Sequence, residues 1–164
     1  MPARPVSPGF FCGVQIIRKH NMQHSVIARA AMLNKNIPSN APRVLYIEDH
    51  ADTRELVTLV LEQNRYEVVS GDTIASGVAL AVSQEFDLYL LDSWLPDGSG
   101  LELCRLIREF DKATPILFYS AAAYEIDRVE AIKSGAQAYL IKPSHPSELC
   151  NLVTSLIESH RALV

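Results

Sequence analysis

The sequence predicts an α/β fold: five β-α units wound into one parallel, five-stranded sheet with helices on both faces. Three observations carry this expectation. Short apolar runs recur along the chain, clearest at Val44–Ile47, Leu88–Leu91 and Ile116–Tyr119, and a run apolar on both faces suits a strand buried on both sides. A segment of helical period follows each run, and strict β-α alternation implies right-handed crossovers. Finally, the runs end in polar residues: Glu48-Asp49, Asp92, Ser120 and Lys142. The carboxyl edge of an open parallel sheet is where such folds keep their chemistry.

Composition bounds the answer. At 164 residues, 48% apolar and 21% charged, the chain supports one domain with a proper core and an appendage. The net charge of −4 hides an asymmetry: residues 1–42 carry +5 and no acid, and residues 43–164 carry −9. An acidic domain is a poor nonspecific ligand for nucleic acid. No apolar run reaches the ~18–20 residues that span a bilayer. Cys12, Cys104 and Cys150 are odd in number and form no CxxC, which suits free thiols in a reducing cytoplasm.

Residues 1–42 hold five of the nine prolines and read as a basic, disordered extension; residues 43–164 read as the folded domain. Gly9–Ile17 is a weak match to a signal-peptide core and has no convincing cleavage site. His20 and His24 have helical spacing but no neighbouring carboxylate or thiol, so no metal site is assigned there. Arg43 opens the first strand. Asp52 and Glu55 suggest a capped helix start, with Leu56, Leu59, Val60 and Gln63 on its period. Tyr66–Ser70 is a more polar strand, suited to an edge. Asp72 or Thr73 caps a second helix that faces Ile74, Val78, Ala81 and Val82 inward. Phe86–Asp92 is the central strand, and Pro96, Asp97, Gly98 and Gly100 after it are turn chemistry. Ser99 and Glu102 open a third helix, with Leu103, Leu106, Ile107 and Phe110 inward and Cys104 as packing. A fourth strand covers Ile116–Tyr119. A fourth helix spans 124–134, with Gly135 at its left-handed end, and a fifth strand spans Gln137–Ile141. Pro146 starts the last helix, with Leu149, Leu152, Val153, Leu156 and Ile157 as its stripe.

With strand order 2-1-3-4-5, the polar strand ends share one edge. Three carboxylates there repel; at ~5 Å and an effective dielectric of ~20 each ionised pair costs roughly 3 kcal/mol. Hard oxygen ligands of this kind call for Mg²⁺ or Mn²⁺. Lys142 adds a fixed positive charge and Ser120 a neutral donor. A cation, a lysine and a hydroxyl around a carboxylate form a cradle for a phosphoryl group, with the carboxylate as nucleophile. The plainer reading is a set of helix caps on a solvated rim. Five such residues, each at a strand end, weigh against it.

Residues 43–162 resemble the receiver domain of two-component response regulators. The resemblance rests on Glu48-Asp49, on Asp92 within Leu-Leu-Asp-Ser-Trp-Leu-Pro-Asp-Gly-Ser-Gly, on Ser120, on Tyr139 within the fifth strand, and on Lys142-Pro143. It implies a flavodoxin-like fold in which Asp92 accepts phosphoryl from a histidine kinase or phosphotransfer protein. It implies Mg²⁺ held by Asp49, Asp92 and the Trp94 backbone carbonyl, with Glu48 acting through water. It also implies Ser120 and Tyr139 as a switch pair and Lys142 on the phosphoryl group. The output would be a protein target on the fourth helix, fifth strand and fifth helix, with a monomer or a phosphorylation-dependent dimer as the signalling form. Leu95, Ser120 and Trp94 depart from the residues most frequent at their positions; the first two keep the needed chemistry. With no output domain after the last helix, the expectation is a stand-alone receiver, a signalling domain in place of an enzyme.

Three alternatives stand beside this reading. A phosphorylation-independent docking module would keep the acidic cluster unused. A haloacid-dehalogenase-type phosphatase needs a second aspartate two residues after its nucleophile, and Asp92-Ser93-Trp94 does not supply it. A flavodoxin needs a hydroxyl-rich loop after the first strand, and Glu-Asp-His-Ala-Asp repels phosphate unless a cation intervenes.

Overall fold

The computed structural model describes Pro38 and residues 40–163. The extension assigned to residues 1–42, with its signal-peptide and histidine readings, lies almost wholly outside them. Strands β1 (Arg43–Ile47), β2 (Glu67–Gly71), β3 (Leu88–Leu91), β4 (Ile116–Ser120) and β5 (Ala138–Ile141) alternate with helices α1 (Ala51–Gln63), α2 (Ile74–Ser83), α3 (Gly100–Phe110), α4 (Glu125–Lys133) and α5 (Pro146–Arg161). The sheet is parallel throughout, in the order β2-β1-β3-β4-β5. This is the expected 2-1-3-4-5 order. Trp94–Leu95 and Gly98–Ser99 add a two-residue antiparallel hairpin between β3 and α3.

Strand periodicity divides the core in two. Leu45, Ile47, Tyr89, Leu91, Ile116 and Phe118 pack with α2, α3 and α4. Val44, Tyr46, Leu88, Leu90, Leu117, Tyr119 and Leu140 pack with α1 and α5. Every residue of β1 after Arg43 and all of β3 are buried, as strands covered on both faces must be. β2 lies at the edge and is only partly buried, which matches its polar composition.

Several local expectations change. α1 starts one residue before Asp52, with His50 as its N-cap and no capping side chain; Arg54 N–H already bonds the His50 carbonyl, so Asp52 falls in the first turn. Its buried residues are Val57 and Leu61, whereas Leu56 is 61% exposed. Leu56, Val57, Leu59, Val60 and Leu61 offer two overlapping stripes, and docking on the sheet selects one. Val82 and Phe110, expected inward, are exposed; Gly77 and Cys104 occupy the inner faces of α2 and α3. Thr73 is the α2 cap, in a reciprocal box with Ser76, and Ser99 accepts from Glu102 N–H at the start of α3. Gly135 has φ +108, the left-handed geometry that favours glycine after a helix.

Candidate functional site at the carboxyl edge of the sheet

The polar strand ends meet where the topology places them. Glu48 follows Tyr46 on the α1/α5 face by the two-residue period of an extended chain; Asp92 follows Leu90, and Lys142 follows Leu140, by the same rule. Oxygens of Glu48, Asp49 and Asp92 all lie within 4.8 Å of one another. Glu48 and Asp92 are buried and Asp49 is exposed. Lys142 Nζ bonds Glu48 Oε2 directly and sits 3.3 Å from Asp92 Oδ1. It also rests 5.3 Å from the centre of the Tyr119 ring, a cation–π contact.

Backbone and side-chain groups together hold the two buried acids. Asp92 N–H bonds the Ile47 carbonyl at 2.9 Å, which ties the end of β3 to β1. Ser93 N–H donates to Asp92 Oδ1 at 2.8 Å. Arg54, in the first turn of α1, donates Nη1 to the carbonyls of Glu48 at 2.5 Å and Asp49 at 3.2 Å. That contact clamps the acidic loop to its helix. Tyr46, fully buried, donates its hydroxyl to Glu48 Oε2 at 2.8 Å. Burial, and next the Glu48 charge, push the Tyr46 phenol far above its ordinary value, so it is a neutral donor at any working pH.

The other face carries the candidate switch. Tyr139 stacks on Phe118, with ring centres 6.0 Å apart and planes within 10°. Its hydroxyl donates to the Ala122 carbonyl at 2.7 Å. Ser120, fully buried at the end of β4, accepts from Ala122 N–H at 3.3 Å. Ser120 and Tyr139 therefore hold the same short segment from its two ends. Trp94 lies in the hairpin beside the site with 67% of its surface exposed.

Four supporting residues were not singled out for the site by sequence reading. Tyr46 and Arg54 are two; the period-2 relation of Tyr46 to Glu48 was the available signal for the first. Asp97 and Gly100 were read only as turn residues. Asp97 accepts the N–H groups of Ile74 at 2.8 Å and Ala75 at 3.1 Å, so the loop after Asp92 caps α2. Gly100 approaches so closely that an added Cβ would lie 1.9 Å from the Asp92 carbonyl oxygen. Cys104, by contrast, stays a packing residue: it is buried, and burial pushes its thiol up to about 11.

A parallel 2-1-3-4-5 sheet covered by helices on both faces, with buried acids and a lysine converging at its carboxyl edge, defines the doubly wound α/β class with its site at the strand ends. The sequence profile of the response regulator receiver domain matches residues 44–154, and the chain belongs to that family. The transcriptional regulatory protein ResD of Bacillus subtilis is 34% identical over 119 residues, covering 73% of this chain and 49% of that protein. The phosphate regulon regulator PhoB of Escherichia coli is 37% identical over 111 residues, covering 66% and 48%. The chain thus spans about half the length of these curated relatives. Among solved structures, a CheY-like receiver domain from Methanospirillum hungatei superposes with a TM-score of 0.73 at 25% identity, covering 76% of this chain and all of that one. The receiver domain of the sensor histidine kinase PA1611 from Pseudomonas aeruginosa, solved with magnesium in its active-site cleft, gives 0.68 at 27% identity, covering 72% and 98%. Among the described residues no helix is long and apolar enough to cross a membrane.

The donor set fits a hard divalent cation. All three clustered side chains offer carboxylate oxygens, and one is exposed, so an ion can enter and keep water ligands, as Mg²⁺ prefers.

Proposed function

We propose that residues 43–164 form a phosphoacceptor switch in which Asp92 takes a phosphoryl group from the phosphohistidine of a histidine kinase or phosphotransfer protein. The observation that carries the reading is the environment of Asp92. It is a buried carboxylate with Oδ1 held by Ser93 N–H and Lys142, and Oδ2 has no protein donor among the described residues. An Asp92 oxygen attacks phosphorus, the P–N bond breaks, and its electron pair leaves on the imidazole, which takes up a proton from solvent. Asp92 becomes an acyl phosphate.

Glu48, Asp49, Asp92 and the Trp94 carbonyl would hold Mg²⁺, with Mn²⁺ as substitute, and the bound ion would offset the clustered negative charge and that of the phosphoryl oxygens. Lys142 needs little movement to reach the new group, because it already sits between Glu48 and Asp92. Phosphorylation adds about −1.5 to −2 charge and new acceptor oxygens. Ser120 turns its hydroxyl toward one of them and gives up Ala122 N–H. The Ala122 segment shifts, and Tyr139, bonded to the same residue, changes position with it. That shared segment is the bistable element a switch needs. The surface it modulates is apolar: Tyr124, Ile126 and Ile132 around α4 and Ile141 of β5 are all exposed, as a protein-docking face would be. A partner protein there, or a second copy after phosphorylation, is the proposed output. Direct contact with nucleic acid by this domain is not.

The test is phosphate incorporation from acetyl phosphate in Mg²⁺, using the full chain and Asp92→Asn. The wild type should take up base-labile phosphate and Asp92→Asn none. Undiminished labelling of the mutant places the acceptor elsewhere. A wild type that takes up none from this donor or from a phosphorylated kinase leaves the phosphorylation-independent docking module.

A further inference from the structure

Glu48 Oε2 has two donors, and only one of them belongs to the phosphoryl machinery. Lys142 Nζ is the first. The second is the Tyr46 hydroxyl, from the fully buried middle of the sheet. The other oxygen, Oε1, has among the described residues a single long contact of 3.4 Å with His50 N–H. Glu48 itself is 2% exposed. A carboxylate this buried is costly unless donors surround it, and a partner withdrawn leaves an uncompensated charge.

Resting on the reading of Asp92 as phosphoacceptor, we infer that Tyr46 is a positioning residue for that site: its hydroxyl holds Glu48 in place when Lys142 turns to the phosphoryl group. Lys142 lies between two carboxylates, in contact with Glu48 and 3.3 Å from Asp92 Oδ1. Engaging a phosphoryl oxygen on Asp92 draws it off Glu48. Without Tyr46, the protein donors left on Glu48 beside a bound ion would then reduce to the weak His50 contact, and Lys142 would be held back. With Tyr46, one full hydrogen bond stays on Oε2 throughout.

The arrangement also matches Tyr46 to glutamate in particular. Shortening the side chain to aspartate retracts the carboxylate by about 1.5 Å, one C–C bond. The 2.8 Å hydroxyl bond would then stretch beyond hydrogen-bonding range. Tyr46 and Glu48 should therefore behave as a coupled pair. Simple packing of the Tyr46 ring makes no such demand, because phenylalanine packs equally well.

The experiment is a double-mutant cycle on the full chain: wild type, Tyr46→Phe, Glu48→Asp and the double variant. Tyr66→Phe is the control, since Tyr66 also spends its hydroxyl internally, on Thr154 at 2.6 Å, but away from the site. Phosphate uptake from acetyl phosphate in Mg²⁺ should slow about tenfold in Tyr46→Phe, the scale of one hydrogen bond to a charged group. It should be unchanged in Tyr66→Phe. In the Glu48→Asp background the same Tyr46→Phe change should have no further effect. Thermal unfolding in EDTA supplies a readout free of metal and phosphate: Tyr46→Phe should lower the midpoint with Glu48 present and leave it unchanged with Asp at 48. Uptake by Tyr46→Phe at the wild-type rate, or equal losses in both backgrounds, overturns the inference. If the wild type itself takes no phosphate, the reading of Asp92 fails instead, and the EDTA cycle alone decides whether Tyr46 and Glu48 are coupled.

Discussion

Substituting alanine at Gly100 tests how tightly Asp92, the proposed acceptor, is built into the fold. Gly100 is the first residue of α3, is buried, and donates its N–H to the Ser93 carbonyl at 2.9 Å. A Cβ there would sit 1.9 Å from the Asp92 carbonyl oxygen, 3.0 Å from its carbonyl carbon and 3.0 Å from Phe118 Cε1. Two of these three atoms belong to the Asp92 backbone, which Asp92 N–H pins to β1. Alanine would gain up to about 1 kcal/mol of helix propensity, less at a first-turn position. Relieving the clash needs a shift of more than about 1 Å between the end of β3 and the start of α3, at the upper end of the ~1–3 kcal/mol that overpacking costs. The net expectation is a loss of about 2 kcal/mol, or about 8 °C in the unfolding midpoint at ~4 °C per kcal/mol for a domain of this size. Because Asp92 itself moves, phosphate uptake should fall by about 10²-fold, the scale of a 1 Å misplacement of a reacting group. Gly77→Ala is the comparison. Its Cβ meets side-chain atoms and no backbone, Leu103 Cδ2 at 2.9 Å, Leu103 Cδ1 at 3.2 Å and Ile47 Cγ1 at 3.2 Å, so its stability should change by no more than about 1 kcal/mol. The assays are differential scanning calorimetry and acetyl-phosphate labelling. Gly100→Ala that unfolds at the wild-type temperature and labels at the wild-type rate refutes the reasoning.

Two further outcomes are expected. Neither Trp94 nor Ala122 offers a group that orients water for hydrolysis, so the acyl phosphate should be long-lived; with the indole mostly in solvent, Trp94→Asn should shorten its lifetime several-fold by adding a polar amide, whereas Trp94→Ala should decay near the wild-type rate. Decay of Trp94→Asn at or below the wild-type rate would contradict this. Asp97 is held below the ordinary carboxyl value chiefly by Ile74 N–H, with desolvation opposing and Ala75 N–H assisting. Its contribution to stability is therefore present above the unfolded value of ~3.9 and lost as pH falls through the lower folded value. Between about pH 6 and about pH 3 the wild type should lose more of its unfolding midpoint than Asp97→Asn; parallel curves would show that the cap contributes nothing.

The strand and helix count and the parallel pairing were legible in the sequence, because each depends on local signals that repeat, whereas the strand order 2-1-3-4-5, and with it the shared edge, came with the fold class. Val44–Ile47 and Leu88–Leu91 are apolar on both faces, and such runs need cover on both sides. Glu48, Asp92 and Lys142 each follow such a strand, so a parallel sheet had to bring them to one edge. The same simplicity set the limits. In α1 the crowded apolar run Leu56–Leu61 allowed two helical stripes, and only docking against the sheet buried Val57 and Leu61 while leaving Leu56 in water. Val82 and Phe110 were misplaced for the same reason: periodicity states which residues share a face, not how far the neighbouring element reaches.

What the sequence determined by itself is therefore the frame and the chemical identity of the groups at its edge, since alternation, turn residues and charge act over short spans. The tertiary structure alone decided the partners: Tyr46 and Lys142 on one Glu48 oxygen, Arg54 on the carbonyls of the acidic loop, Asp97 on the start of α2, Gly100 against the Asp92 backbone, and Ser120 and Tyr139 sharing Ala122. Lys142 to Glu48, Asp97 to Ile74 and Tyr139 to Ala122 join residues far apart in the chain, the others join residues close in sequence, and in every case the distance is settled by packing to within a few tenths of an ångström. No local pattern encodes a distance of that kind; it exists only once the sheet and its two helical layers have closed around it.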